Sequence, residues 1–216
     1  MIRTALTVTD AHIEAFRGKF KATSVNSRRV FNTGAQNEPK LRIQTPIRIK
    51  GARNTKLPVI VHRFMDRLNR LVQVLLPSHI PRDWVVLESL PGCVEQRPHH
   101  DFNENTVLQA VHEHGESAMP YAIVFALDDG AILHFWRNES APKDTVHLCR
   151  GDMVIFRANT IHAGAGYEHG HFARLHCYAD SHFVQREINT TELVTLTSDV
   201  FANETATATS SDIIDL

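Results

Sequence analysis

The sequence predicts a mainly β fold with flanking helices, arranged as a jelly-roll or barrel-like sandwich. The first observation is a series of short apolar runs from Asp83 onward: DWVVLESL, TVLQAVH, YAIVFAL, AILHFW, TVHL, MVIF, FARLHCYA and SHFVQREI. They are separated by turn formers such as Pro91-Gly92, Asp128-Asp129-Gly130, Gly151-Asp152 and the stretch from Gly164 to Gly170. Eight short strands at this spacing suggest an all-β sandwich or barrel. The second is that the apolar period just upstream of Asp83, over residues 57–77, is helical. The third is size: 216 residues, 43% of them hydrophobic and 22% charged, make one ordinary globular domain with a substantial core.

In chain order, Thr9-Asp10 caps a short helix reaching about Phe20, with Ile13, Phe16 and Phe20 at helical spacing. Residues 22–40 are polar and irregular and read as a loop. LRIQTPIRIK (41–50) alternates, with Leu41, Ile43, Ile47 and Ile49 on one face and Arg42, Gln44, Arg48 and Lys50 on the other. This predicts a half-buried strand, and Pro46 places it at a sheet edge. In LPVIVHRFMDRLNRLVQVLLP, Val61, Phe64, Met65, Leu68, Leu71, Val72 and Leu75 form the stripe of an amphipathic helix ended by Pro77. The chain thus divides into a basic N-terminal region (1–82) packing on a β core (83–188), followed by a tail (189–216) that is partly mobile.

Residues 1–82 carry 16 Lys and Arg against 4 Asp and Glu, whereas 83–216 carry 7 against 20, so a net of +12 faces a net of −13. The two halves either neutralise each other or leave a cationic surface for an anionic partner. No apolar run approaches the length of a membrane span, and the N-terminus lacks the apolar stretch of a secretory signal. Three widely spaced cysteines (93, 149 and 177) suggest neither a disulfide framework nor a CxxC zinc site. An intracellular setting, cytoplasmic or nuclear, is the expectation.

PGCVEQRPHHDF (91–102) contains the single His-x-Asp of the chain, which carries weight only through its context because there are 14 histidines. On a strand His99 and Asp101 point to one side and His100 to the other. One imidazole and one carboxylate need a third ligand to complete the 2-His-1-carboxylate triad of non-haem Fe(II) oxygenases. His162, in GDMVIFRANTIHAGAG, is the best candidate, because it follows an apolar strand and precedes small residues. Twelve residues later Arg174 shares a strand face with Phe172, His176 and Tyr178. An interior arginine needs an anionic partner, and its guanidinium fork suits a carboxylate.

VLESLPGCVEQRPHHDF resembles the strand–turn–strand of prolyl 4-hydroxylase-type 2-oxoglutarate/Fe(II) dioxygenases, with its Pro-Gly turn and Pro-His-x-Asp-aromatic motif. LDDGAILHFW, GDMVIF and HAG followed by a basic residue resemble later segments of that family in the right order, so the likeness covers roughly residues 85–180. The resemblance implies a double-stranded β-helix (jelly-roll, cupin-like) with iron on His99, Asp101 and His162, and Arg174 gripping the distal carboxylate of 2-oxoglutarate. Tyr121 and His176 are the candidates for further cosubstrate contacts. O2 is the other cosubstrate, and ascorbate an auxiliary reductant compatible with the family. The implied reaction is hydroxylation of a C–H bond, with a protein side chain such as proline as the favoured substrate.

Alternatives differ in what they require. A nucleic-acid substrate would use Arg28-Arg29, Arg42, Arg48 and Lys50 as its contact surface; a small molecule would not. A cupin-like metal-binding module would share the fold without consuming 2-oxoglutarate, and a basic nucleic-acid-binding protein would need no metal. His112 and His114 in VHEHGE form a rival His-x-His pair, with Glu113 and Glu116 beside it.

Overall fold

A computed structural model describes residues 2–5, 9–21, 28–29, 41–47, 58–184 and 191–197. Along them run β1 (Ile2–Ala5), α1 (Asp10–Lys21), β2 (Arg28–Arg29), β3 (Arg42–Pro46), α2 (Val59–Leu75), β4 (Ile80–Ser89), β5 (His99–His100) and α3 (Glu104–His114). There follow β6 (Tyr121–Ala126), β7 (Ala131–Trp136), β8 (Asp144–Leu148), β9 (Asp152–Arg157), β10 (Ile161–Gly164), β11 (Phe172–Asp180) and β12 (Glu192–Leu193).

The strands form two antiparallel sheets, one of seven in the order β1-β9-β6-β11-β4-β3-β2 and one of five in the order β12-β5-β10-β7-β8. From β4 to β11 the chain crosses between sheets at every step except the β7–β8 hairpin. That winding is a double-stranded β-helix, as expected. The N-terminal region extends the larger sheet at both ends, with β1 beside β9 and β3 beside β4.

The faces of the larger sheet explain the two cores. Ala122, Val124 and Ala126 of β6 meet Val154 and Phe156 of β9 and Ala131 and Leu133 of β7 between the sheets. The alternate residues, including Ile123, Phe125, Met153, Ile155, Leu175 and Cys177, face outward under Ile13 and Phe16 of α1 and Val61, Phe64, Met65, Leu68 and Val72 of α2. Phe64 links the layers, its ring 4.8 Å from Phe16 and 5.9 Å edge-on from Phe125. Burying side chains of this size contributes about 1.5–3 kcal/mol each. The helices therefore occupy the outside of the larger sheet and leave the space between the sheets to the site.

Several expectations change. TVLQAVH is not a strand but the body of α3, which buries Val107 and Ala110 one turn apart. Asn103 caps it by accepting a hydrogen bond from Thr106 N, and Gly115, at φ 76°, ends it in a backbone conformation that disfavours a side chain. Ser181–Val184, the described part of SHFVQREI, is irregular; Ser181 Oγ donates to Ala118 O at 2.7 Å and Val184 packs beside Phe102 and Val107. Two residues inside the expected 22–40 loop form β2, so β3 is not the outermost strand. Within the expected tail, β12 pairs with β5, and Val194 and Leu196 are buried against Trp136 and Ile161. Phe20's side chain, Arg48 to Lys50 and residues 198–216 lie outside the described residues.

Both faces of β3 are covered. Thr45 and Ile47 are buried on the face of Ile43, as the alternation predicts, but Arg42 is buried on the other face. Arg42 crosses into the interior, where Nη1 donates to Ser89 Oγ at 3.0 Å and Nη2 to Val94 O and Ala165 O at 3.1 and 2.9 Å. It is therefore not part of a cationic outer face, and the proposed nucleic-acid surface loses its central residue.

Candidate metal and cosubstrate site

The smaller sheet sets the two histidines. His162 on β10 pairs directly with His99 on β5 on one side and with Phe135 on β7 on the other. Both imidazoles are fixed in the same way: Nδ1 of His99 lies 2.7 Å from Arg97 O, and Nδ1 of His162 lies 3.0 Å from Thr160 O. A carbonyl only accepts, so each bond places the hydrogen on Nδ1 and leaves the Nε2 lone pair for a metal. Asp101 follows β5, and the buried ring of the next residue, Phe102, packs edge-on against Tyr178 at 5.6 Å.

One ligand atom each from His99, Asp101 and His162 falls within 4.8 Å of the others, and all three residues are buried. This is the one such group among the described residues. Asp101 Oδ2 has no close hydrogen-bond partner; the Nε2 atoms of His162 and His176 stand 3.5 Å from it, at the outer limit of a hydrogen bond. Tyr178 OH donates weakly to Oδ1 at 3.4 Å. An under-bonded buried carboxylate oxygen facing imidazole lone pairs is the environment that a divalent cation completes. The donor set fits such a cation.

Electrostatics agree with this. Burial pushes His162 down to about 3 against the attraction of Asp101, and it lowers His99 as well. Both are neutral at physiological pH, the state that ligates a metal. Burial opposes the Asp101 charge, yet His162, His176 and His99 hold its carboxyl well below the usual range. Phe156 packs 4.7 Å from the His162 ring, and the Phe135 ring is 6.4 Å from it, so the pocket wall beside this ligand is apolar.

The second part of the site lies on β11. Arg174, His176 and Tyr178 are on the inner face, while Ala173, Leu175 and Cys177 face the helices, as the alternation predicts. Arg174 is 3% exposed and its Nε has no hydrogen-bond partner. Burial and then the neighbouring Arg42 push it down to about 10, which still leaves it protonated at neutral pH. The Lys and Arg ion pairs among the described residues involve Arg17, Arg82, Lys143, Arg150 and Arg157, not Arg42 or Arg174.

The expected site residues are thus brought together with one exception. His99, Asp101, His162, Arg174 and His176 share the interior. Tyr121 does not: on β6 it falls on the outward face with Ile123 and Phe125, and packs edge-on against His79 at 5.2 Å. Tyr178 is the interior tyrosine nearest the carboxylate. His100, also buried, points away and comes 3.9 Å from Glu192 on β12. The rival His112 and His114 are exposed on the last turn of α3, where a spacing of two residues turns them to different sides. Residues missed from sequence are Gln96, Gly164 and Arg42 in its interior role; HAGAG was the one signal, its small residues allowing a close approach.

No family model matches the sequence, and no curated protein matches it. Solved structures do match the fold. The epimerase SnoN from nogalamycin biosynthesis, in complex with Fe3+, alpha ketoglutarate and nogalamycin RO, aligns with a TM-score of 0.59 at 14% identity over 88% of this chain and 82% of its own. HygX from Streptomyces hygroscopicus, with nickel and 2-oxoglutarate bound, aligns at 0.59 and 10% identity over 90% and 91%. A Pseudomonas putida prolyl-4-hydroxylase aligns at 0.53 and 13% over 83% and 91%. The chain therefore has the double-stranded β-helix fold that 2-oxoglutarate/Fe(II) oxygenases share, prolyl 4-hydroxylases among them. No described helix is long and apolar enough to cross a membrane.

Proposed function

We propose that this protein is a non-haem Fe(II)/2-oxoglutarate-dependent oxygenase that hydroxylates a C–H bond, with a protein or peptide side chain such as proline as substrate. The observation that carries the reading is the buried triad of His99, Asp101 and His162 with its ligand atoms within 4.8 Å of one another. Those residues would hold Fe(II), where O2 would act as oxidant of both 2-oxoglutarate and substrate: one oxygen atom would enter the substrate C–H bond, the other would enter succinate, and CO2 would leave. Ascorbate would serve only to keep the iron reduced.

The chain's own residues do the positioning. The carbonyls of Arg97 and Thr160 orient the imidazoles, and Phe135 and Phe156 keep the wall beside His162 apolar. Arg174 would receive the distal carboxylate of 2-oxoglutarate through a charge-assisted contact, and His176, 3.5 Å from Asp101, would contact the metal-binding end. A small-molecule substrate is the second reading, favoured by the likeness to the epimerase SnoN, which was solved with nogalamycin RO.

The test is succinate release under Fe(II), O2 and 2-oxoglutarate, alone and with proline-containing peptides, alongside mass analysis of the peptides. Peptide-stimulated succinate with a gain of one oxygen supports the first reading. Turnover that peptides never stimulate favours the second. Protein that binds metal but releases no more succinate than His99→Ala is a metal-binding module, and the oxygenase reading fails.

A further inference from the structure

Gly164 sits two residues after His162 on β10 and therefore faces the same interior. A Cβ at that position would lie 2.6 Å from Arg174 Nη2, 2.6 Å from Gln96 Oε1 and 2.8 Å from Arg42 Nη1. Three polar side-chain ends thus converge where a side chain is missing, and two of them are cations. Gln96 fixes the strand there, its N donating to Gly164 O at 2.9 Å and its Oε1 accepting from Gly164 N at 3.0 Å. Arg42 is held by both N–H groups of Nη2 on Val94 O and Ala165 O, while Nη1 spends one N–H on Ser89 Oγ and has a second to give. Two adjacent buried guanidiniums that the described ion pairs do not include are costly together unless an anion lies between them.

We infer that Arg42 and Arg174 together form the carboxylate-binding end of the pocket, so that the distal carboxylate of 2-oxoglutarate is held between two guanidiniums. One comes from β11 of the β-helix and the other from β3, the strand that the N-terminal region adds to the larger sheet. The inference rests on the reading of the pocket as a 2-oxoglutarate site. Its consequence is that the N-terminal region completes the cosubstrate site besides covering the sheet.

A purely structural role for Arg42, bracing the backbone at 94 and 165, is separable by ligand choice. Anaerobic titrations of the Fe(II)-loaded full chain compare 2-oxoglutarate with 2-oxopentanoate, which carries a methyl group in place of the distal carboxylate. In wild type 2-oxoglutarate binds more tightly, and Arg42→Gln weakens it about tenfold or more while leaving 2-oxopentanoate unchanged. If Arg42→Gln weakens both ligands alike, or neither, Arg42 is a brace and the inference is overturned while the functional reading stands. If wild type shows no preference for 2-oxoglutarate, the functional reading falls and the inference with it. Should Arg42→Gln not fold, a crystal structure of the wild type with Mn(II) and N-oxalylglycine decides. A carboxylate within hydrogen-bonding distance of both arginines supports the inference, and one bonded to Arg174 without Arg42 overturns it.

Discussion

His99 and His162 stand directly opposite each other on adjacent antiparallel strands, with ring centroids 4.4 Å apart and each Nδ1 tied to the carbonyl two residues earlier. The pairing register, not the loops, sets their separation. Two rigid imidazoles facing one aspartate are a preorganised half-shell for a metal.

Replacing either histidine should therefore remove the metal without unfolding the sheet. Loss of an outer partner of a ligand costs about 10–100-fold in affinity, so His99→Ala or His162→Ala should lose at least about 100-fold. Mn(II) binding by calorimetry, with circular dichroism as the folding control, checks this. Near-wild-type binding by both variants would remove these residues from the site.

His176 touches Asp101 at 3.5 Å without belonging to the triad. His176→Ala should weaken Mn(II) binding by about 10–100-fold, as expected of an outer partner, and so fall short of the loss in His162→Ala. The same calorimetric series makes the comparison, and a loss equal to that of His162→Ala would make His176 a ligand instead.

The metal-free protein should lose stability on acidification. His162 titrates at about 3 when folded against 6.5 when unfolded, and His99 is lowered in the same direction. Between those values the unfolded chain binds protons that the folded one refuses, so stability rises with pH across the window and is lost as pH falls through it. Asp101, lowered from 3.8, acts with the same sign at the acid end. Urea midpoints from pH 7 to 4 should decline, and His162→Gln should flatten the profile; an unchanged slope in that variant contradicts the assignment.

Phe64 tests the outer core. It is 1% exposed between Phe16 and Phe125, so Phe64→Ala should cost about 3–5 kcal/mol by urea denaturation. Metal affinity should hold, because the triad lies on the other side of the larger sheet.

The parts of the site legible in the sequence are those set by strand alternation over a few residues. His99 with Asp101, and Arg174 with His176 and Tyr178, come from single segments whose side chains must share a side. Arg42 was hidden by the same rule. Its alternation with Ile43 reads as a solvated face, and it is the pairing of β3 beside β4, with Ser89, Val94 and Ala165 ready to accept, that turns the arginine inward. Tyr121 failed because nothing local says which face of β6 meets the helices. TVLQAVH carries an ambiguous apolar spacing, although Asn103 and Gly115 marked a helix start and stop in plain view.

An oxygenase of this kind needs the triad to hold an iron that 2-oxoglutarate also reaches. Adding Fe(II) and then 2-oxoglutarate anaerobically, and recording the visible spectrum, tests it directly. A weak charge-transfer band is expected that needs both additions and is absent in His99→Ala and His162→Ala. Iron that binds at His99 and His162 with no band on adding 2-oxoglutarate would contradict it.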